Sequence, residues 1–344
     1  MRVFIYEHVT GGGLLGGASP RESPLFVEAA SMVAAATHDL HRLRDAEGVL
    51  LVDERLRFET PSDGRTAVRT VDSREAWEAA FDEAVRSCDY TLLIAPETAG
   101  TLVALARRVE AIGGRLLSPS SRFCDWATDK SRVAATLAEL RAAPVGRCLR
   151  FDAPWPDGVP LPAVLKPNDG CGSDSVRLIR TAADDARTAA HEFWRLEEFI
   201  PGQPASIAVV RGPRQTLLLA PCRQHLADDG TFAYRGGSAP LPREPSQRVA
   251  ALVNRCLEAL PDFHGYIGID VVLGTASDGA DDRIIEVNPR LTTSYHAQHA
   301  LVRNNLIEVM IDLAEGREVT LDCRSGSVGF TPDGGISGVL EADD

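Results

Sequence analysis

Short apolar runs alternate with helix-length amphipathic stretches over the first part of the chain. Residues 3–6 (Val-Phe-Ile-Tyr) read as a buried strand, 24–37 as a helix, 48–52 (Gly-Val-Leu-Leu-Val) as a second strand and 73–87 as another helix. Residues 90–95 predict a third strand, 98–112 a helix and 115–118 a closing strand. That alternation predicts a small parallel α/β sheet, with the polar stretch 55–70 as an exposed excursion. Next come a helix at 125–140, a strand at 163–166, a strand at 175–180 and a helix at 182–192. Five prolines from Pro144 to Pro162 exclude a long element there. The block 203–325 mixes strands (206–210, 215–220, 266–273, 283–288) with helices (245–259, 296–314), an α+β pattern. The Gly- and acid-rich stretch from 326 is expected to be loosely held.

With 344 residues the chain has room for two or three packed units, and 44% hydrophobic with 25% charged residues is ordinary for a globular protein. A net charge of −13 argues against a nucleic-acid partner, which needs clustered cations to track phosphates. No basic-plus-apolar leader and no run of 18 apolar residues is present, so a cytoplasmic protein without a membrane span is expected. The 7 cysteines are scattered, odd in number and without a C-x-x-C pair, as reduced thiols would be. Cys171 lies in a glycine loop, where packing is the favoured reading over reactivity.

Among the 36 basic residues, only Lys130 and Lys166 are lysines. Arginine is a planar fork and lysine a compact point charge on a flexible stem. Lysines that persist against such a bias are candidates for positions where a fork does not fit.

Gly11-Gly12-Gly13-Leu14-Leu15-Gly16 satisfies the G-x-G-x-x-G pattern directly after a strand. Two prolines, Pro20 and Pro24, precede any helical pattern, and Asp53 lies well beyond the ~20-residue spacing of a ribose-binding acid. A dinucleotide-binding oxidoreductase is therefore the minor reading, and a flexible loop over a substrate pocket is expected instead.

Three separated segments gain meaning together. Lys166 ends a strand and feeds Pro-Asn-Asp-Gly170-Cys-Gly172-Ser173, a turn whose glycines let backbone N–H groups approach phosphate closely. Leu196-Glu197-Glu198-Phe199-Ile200-Pro-Gly runs from a strand into a turn, as a hinge facing an adenine edge would. Asp270, in Gly265-Tyr-Ile-Gly-Ile-Asp270, lies on the face opposite Ile267, Ile269 and Val271. In the strand Arg283-Ile-Ile-Glu286-Val-Asn288, Ile285 and Val287 are expected to face the core, so Glu286 and Asn288 project together. Such hard oxygen ligands suit Mg²⁺ shared with substrate phosphates.

These motifs resemble the ATP-grasp superfamily over residues 122–314. The resemblance implies an N-terminal α/β (pre-ATP-grasp) domain at 1–121, ATP-grasp subdomains at 122–199 and 200–325, and a tail at 326–344. It further implies that Lys130 and Lys166 contact the α- and β-phosphates, that Gly170, Gly172 and Ser173 cover them, and that Glu197 accepts from the adenine amino group. The backbone of Glu198 and Ile200 would read the ring. Asp270, Glu286 and Asn288 would hold two Mg²⁺ (or Mn²⁺) ions, and Arg290 would face the transferred phosphoryl group. Pro204 and Ala205 stand where many members carry a ribose-binding Glu, so that contact stays unassigned. Gly268 replaces the Arg that D-alanine ligases place before the first metal ligand, which argues against that subfamily.

Within the superfamily, Arg2-Val-Phe-Ile-Tyr-Glu7 before the glycine cluster, Ala95-Pro-Glu97-Thr and Asn288-Pro-Arg-Leu-Thr-Thr-Ser-Tyr295 resemble the tyramine–glutamate ligase group of methanofuran biosynthesis. That implies ATP-dependent amide formation between an amino acid and an amine, with Glu7 or Glu97 receiving an ammonium and Arg223, Arg235 or Arg290 a carboxylate. Tyr234-Arg-Gly-Gly237 is the expected lid. His296 and His299, at helical i, i+3 spacing, are assigned to the substrate pocket or its supporting shell rather than to zinc. Another carboxylate–amine pair and a non-catalytic nucleotide sensor remain as alternatives. Small molecules are the expected partners, and homo-oligomerisation is left open.

Overall fold

The computed structural model describes residues 1–56, 65–172 and 175–340. Its first unit is a parallel sheet of β1 (Arg2–Glu7), β2 (Glu47–Asp53), β3 (Thr66–Val71) and β4 (Tyr90–Ile94), ordered β3-β2-β1-β4 among the described residues. β1, β2 and β4 are buried almost throughout, as strands covered on both faces must be. Helix α1 (Phe26–Arg42) covers one face, and α2 (Arg74–Ser87) with α3 (Thr101–Ile112) covers the other.

Part of the expected excursion at 55–70 is thus strand β3, an edge strand whose middle positions, Ala67 to Thr70, are exposed or half-exposed and mix apolar with polar residues, which made it look like a loop. The rest of that excursion, 57–64, lies outside the described residues. The strand expected at 115–118 reduces to a single bridge from Thr91 to Leu116. The glycine cluster is a set of ordered turns with Gly11 and Gly12 buried, not a flexible loop over a pocket. Gly11 and Gly13 donate to the Glu7 and His8 carbonyls at 2.8 and 2.9 Å, and a side chain on Gly11 would strike the Glu7 carbonyl.

The second unit opens with α4 (Ser121–Ala127) and α5 (Lys130–Leu137). They continue into an antiparallel sheet of β5 (Gly146–Arg150), β6 (Ala163–Pro167), β7 (Arg177–Ile179) and β8 (Phe193–Glu198), ordered β5-β8-β6-β7 among the described residues. The single helix expected at 125–140 is two helices. Asp129 leaves helical geometry and caps α5, its carboxylate accepting from the Arg132 N–H at 3.0 Å. The helix expected at 182–192 is only a short turn at 182–184. The Asp184 carboxylate takes the Arg180 and Thr181 N–H groups, and Arg187 reaches the Arg150 and Ala153 carbonyls, so tertiary bonds outcompete helical ones.

The third unit is a large antiparallel sheet. Its strands are β9 (Gly202–Arg211), β10 (Thr216–Leu218), β11 (Cys222–Leu226), β12 (Tyr234–Ala239), β13 (Gly265–Gly274), β14 (Arg283–Asn288), β15 (Gly326–Phe330) and β16 (Ile336–Leu340). Among the described residues the order is β14-β13-β9-β11-β12-β15-β16, with β10 against β9. Helix α6 (Arg243–Leu257) packs on one face together with α4 and α5. Two helices, α7 (Tyr295–Leu301) and α8 (Leu306–Ala314), replace the single one expected at 296–314, and Asn305 caps the second. Helices α1 and α8 join the other face to the N-terminal sheet in one continuous core.

Over 326–340 the supposed tail is therefore structural, and 341–344 lie outside the described residues. Val328 and Phe330 bury against Ala297 and Leu301, and β15 pairs with β12. The Tyr234–Gly237 stretch is strand β12 and not a lid, because a side chain at Gly236 or Gly237 would meet the Phe330 or Arg223 carbonyl.

Candidate functional site

A cavity of about 600 Å³ separates the two antiparallel sheets. Both lysines line it, buried, each delivered by a different element. Lys130 is the first residue of α5, and its position is fixed by the loop after β6. The Lys130 N–H donates to the Asn168 carbonyl at 3.1 Å, the Asn168 amide donates to the Asp129 cap at 2.8 Å, and Ser131 donates back to Asn168 Oδ1. The Lys130 ammonium bonds the Gly170 carbonyl and lies 3.3 Å from Glu286. It thereby joins the glycine loop to the opposite sheet.

Lys166, on β6, reaches Glu197 at 2.6 Å and the Ile285 carbonyl at 3.2 Å. Glu197 is buried and receives Arg195 on its other oxygen at 2.5 Å. Arg195, a residue the sequence pattern did not single out, also donates to the Pro144 carbonyl at 2.8 Å. Its alternation partner Glu197, two residues along the same strand, was the available signal. Glu197 thus bridges two cations inside the cleft.

On the facing sheet, Asp270 and Glu286 stand directly opposite each other in the β13–β14 ladder. The register shifts between Asp270 and Val271, so that Ile284 pairs with Val271 and Ile285 is squeezed out. Ile285 consequently lines the cavity, while Ile284 and Val287 enter the core. That corrects the expected strict alternation: a bulge re-aims side chains by one position. It also turns the Ile285 carbonyl toward Lys166.

The Asp270 carboxyl is pushed up to about 7, first by burial and then by the neighbouring Glu286. Asn288 and Gln224 donate to it at 3.2 and 2.8 Å. Gln224, on β11, was not anticipated from sequence. Two close carboxylates beside an amide oxygen form a set of hard oxygen donors in a buried cleft, and the excess negative charge is what a divalent cation would relieve. The residues present therefore fit Mg²⁺.

The hinge residues divide. The Glu198 N–H is taken by the Val145 carbonyl at 2.9 Å, and its carboxylate accepts from the Val145 N–H at 3.0 Å. Its backbone N–H is thus already bonded within the protein. Ile200 lines the cavity outside any strand, and its backbone N–H has no protein partner among the described residues. Gly170 and Gly172 line the cavity too, and Gly172 adopts φ 66°, a backbone state that favours glycine. Ser173 lies outside the described residues.

Arg290 is half-buried, with its Nε and one terminal nitrogen on Glu97 at 2.9 and 3.0 Å, where burial opposes its charge and Glu97 sustains it. Glu97 is therefore engaged and not open to an ammonium. Glu7 spends its oxygens on the Val9 N–H (2.9 Å), the Thr10 N–H (2.6 Å) and the Thr10 hydroxyl (2.7 Å). Arg223 and Tyr234 line the cavity, whereas Arg235 is exposed and does not. Glu28 on α1 also lines it, although no motif marked it. Burial pushes its carboxyl up and Arg290 draws it back.

Cys171 is buried beside Thr98, 3.6 Å away, and burial pushes its thiol up, as for an unreactive packed cysteine. His296 and His299 lie away from the cleft. They hold α7 to α1, at 3.1 Å to Ser31 and 2.8 Å to Asp39, so they serve the domain seam and not a substrate.

Residues 47–122 match the pre ATP-grasp 3 domain and residues 127–294 the ATP-grasp domain. The chain belongs to the ATP-grasp superfamily. It is 24% identical to the tyramine–L-glutamate ligase of Methanocaldococcus fervens over 241 residues, 68% of this chain and 72% of that protein. An ATP-grasp superfamily protein of Archaeoglobus fulgidus superimposes with a TM-score of 0.69 at 23% identity, covering 96% of this chain and 92% of that one. The D-alanine–D-alanine ligase of Bacillus anthracis in complex with ATP gives a TM-score of 0.63 at 15% identity, covering 92% and 98%. No helix among the described residues is long and apolar enough to cross a membrane.

Proposed function

We propose that this protein is an ATP-dependent carboxylate–amine ligase that forms ADP, and that it joins the γ-carboxylate of L-glutamate to tyramine through an acyl phosphate. The supporting observation is the convergence of Lys130, Lys166, Asp270, Glu286 and Asn288 from four elements on one buried cavity. The substrate pair follows the likeness to the Methanocaldococcus fervens ligase, and with it a place in methanofuran biosynthesis.

In this reading the cavity between the sheets receives ATP, with the base against Ile200 and the phosphates between the two lysines and the glycine loop. Magnesium on Asp270, Glu286 and Asn288 supplies charge neutralisation at the phosphates. Arg195 and Lys166 hold Glu197 in place, so that its carboxylate faces the base end with a fixed charge. Lys130, tied to both Gly170 and Glu286, positions the glycine loop over the phosphates. Arg290 stands at the edge where the phosphoryl group and the substrate carboxylate meet, held rigid by Glu97. Preorganised cations of this kind lower the barrier because they need not rearrange as charge develops.

The test is ADP release with Mg²⁺, L-glutamate and tyramine, followed by mass detection of the amide. ADP with every amine and amino acid absent from the product, or no ADP with any pair, contradicts the ligase reading. Turnover with another pair alone contradicts only the substrates.

A further inference from the structure

A small side recess branches from the main cavity at the junction between α1 and the glycine loop. Leu25, Ala29, Met32 and Ile94 form its apolar wall, and Glu7, Glu28 and Arg290 supply its charges. Its volume of about 30 Å³ is that of one water-sized group. Glu28 lines both the recess and the main cavity. Unlike Glu7 and Glu97, its carboxylate makes no hydrogen bond or ion pair among the described residues.

We infer that Glu28 binds the ammonium head of the amine substrate, and that the recess selects simple primary amines over α-amino acids as the acceptor. The inference rests on the ligase reading of the same cleft. Three carboxylates (Glu7, Glu28, Glu97) stand near one guanidinium, and Arg290 has both of its facing donors on Glu97. An ammonium entering here gains a carboxylate partner that lacks one, while its carbon body stays in the larger cavity. An α-carboxylate on the same carbon, drawn into the recess, meets like charge from Glu7 and Glu28, and the one cation lining the recess among the described residues, Arg290, is already paired with Glu97; desolvating it without a partner is costly. A neutral polar head gains only a hydrogen bond.

Calorimetric titration of tyramine and of tyrosine into the protein with Mg²⁺ and a non-hydrolysable ATP analogue tests this, with Glu28→Gln alongside. Glu28 has no protein partner to lose, and a melting curve confirms that the variant folds. Tyramine affinity is expected to fall at least about tenfold in Glu28→Gln, and wild type is expected to bind tyrosine at least about tenfold more weakly than tyramine. Equal tyramine affinity in the two proteins, or tyrosine bound as well as tyramine by wild type, overturns the inference. Hydroxylamine, an uncharged nucleophile, separates the inference from the reading beneath it. If wild type with glutamate and hydroxylamine yields hydroxamate and ADP while tyramine does not bind, the amine site is wrong and the ligase stands. If neither hydroxamate nor ADP forms, the ligase reading itself fails.

Discussion

Helix α1 presents one buried and one half-buried carboxylate to two different regions, and they behave in opposite ways. Asp39, at the seam with α7, is saturated. Its oxygens accept from the Tyr295 hydroxyl at 2.6 Å and from His299 at 2.8 Å, with Arg42 at 3.5 Å, and its carbonyl accepts from Asn305 at 2.5 Å. Glu28, three turns earlier on the same helix, faces a cavity with no direct partner. The seam is polar, buried and closed. The cleft is polar, buried and open, with like-charged Asp270 and Glu286 held against each other. Both regions are rich in ionisable groups, so burial of charge does not separate a structural cluster from a functional one. What separates them is whether the protein itself completes the hydrogen bonds.

That contrast predicts separable effects. Lys166→Arg changes neither sign nor count of charge, but replaces a buried point charge with a fork at a position already bonded to Glu197 and the Ile285 carbonyl. Its turnover of ATP is expected to fall by about 10²- to 10³-fold, the scale of losing one preorganised charge contact, with little change in melting temperature. Steady-state ADP release and a melting curve check both halves. Asp39→Ala leaves the Tyr295 hydroxyl and His299 without their carboxylate partner, while Asn305 keeps its bond to the residue 39 backbone carbonyl. Denaturant unfolding should show a loss of about 3 kcal/mol, as for breaking a buried polar cluster, while activity per folded molecule stays within a factor of two.

A smaller effect comes with pH. His296 in the seam is lowered to about 4, by burial first and then by His299. The folded state therefore resists protonation that the unfolded chain accepts near 6.5. Stability is full above that value and falls as pH drops toward 4, by about 1.4 kcal/mol for each unit of difference. Replacing His296 with Gln should flatten that slope in urea titrations taken between pH 7 and 4. An unchanged slope would assign the acid sensitivity elsewhere, with His8, also lowered to about 4 by burial, as the next candidate.

The fold was legible where periodicity is strong. The inner strands of the parallel sheet and strands β13 and β14 follow directly from their apolar runs. Short strands toward the sheet margins were not legible: β3, β15 and β16 interleave their few apolar residues with Thr, Arg, Ser and Gly, and do not differ from loops until their partners are known. In the cleft, the segments with fixed spacing (Lys166 with its glycine turn, Asp270, Glu286, Asn288) were visible as motifs. Glu28 and Gln224 were not, because each sits alone on its element and acquires meaning only from what the fold sets opposite it. The two histidines misled for the converse reason: their spacing suggested a site, and the fold filled it with Ser31 and Asp39.

Calorimetric titration of ATP with Mg²⁺ into wild type and Lys166→Arg tests the central claim most directly. Wild type is expected to bind at one site per chain and the variant at least about tenfold more weakly, since a misplaced charge beside the phosphates loses at least one strong contact. Absence of ATP binding in wild type, or the same affinity in both proteins, would contradict it.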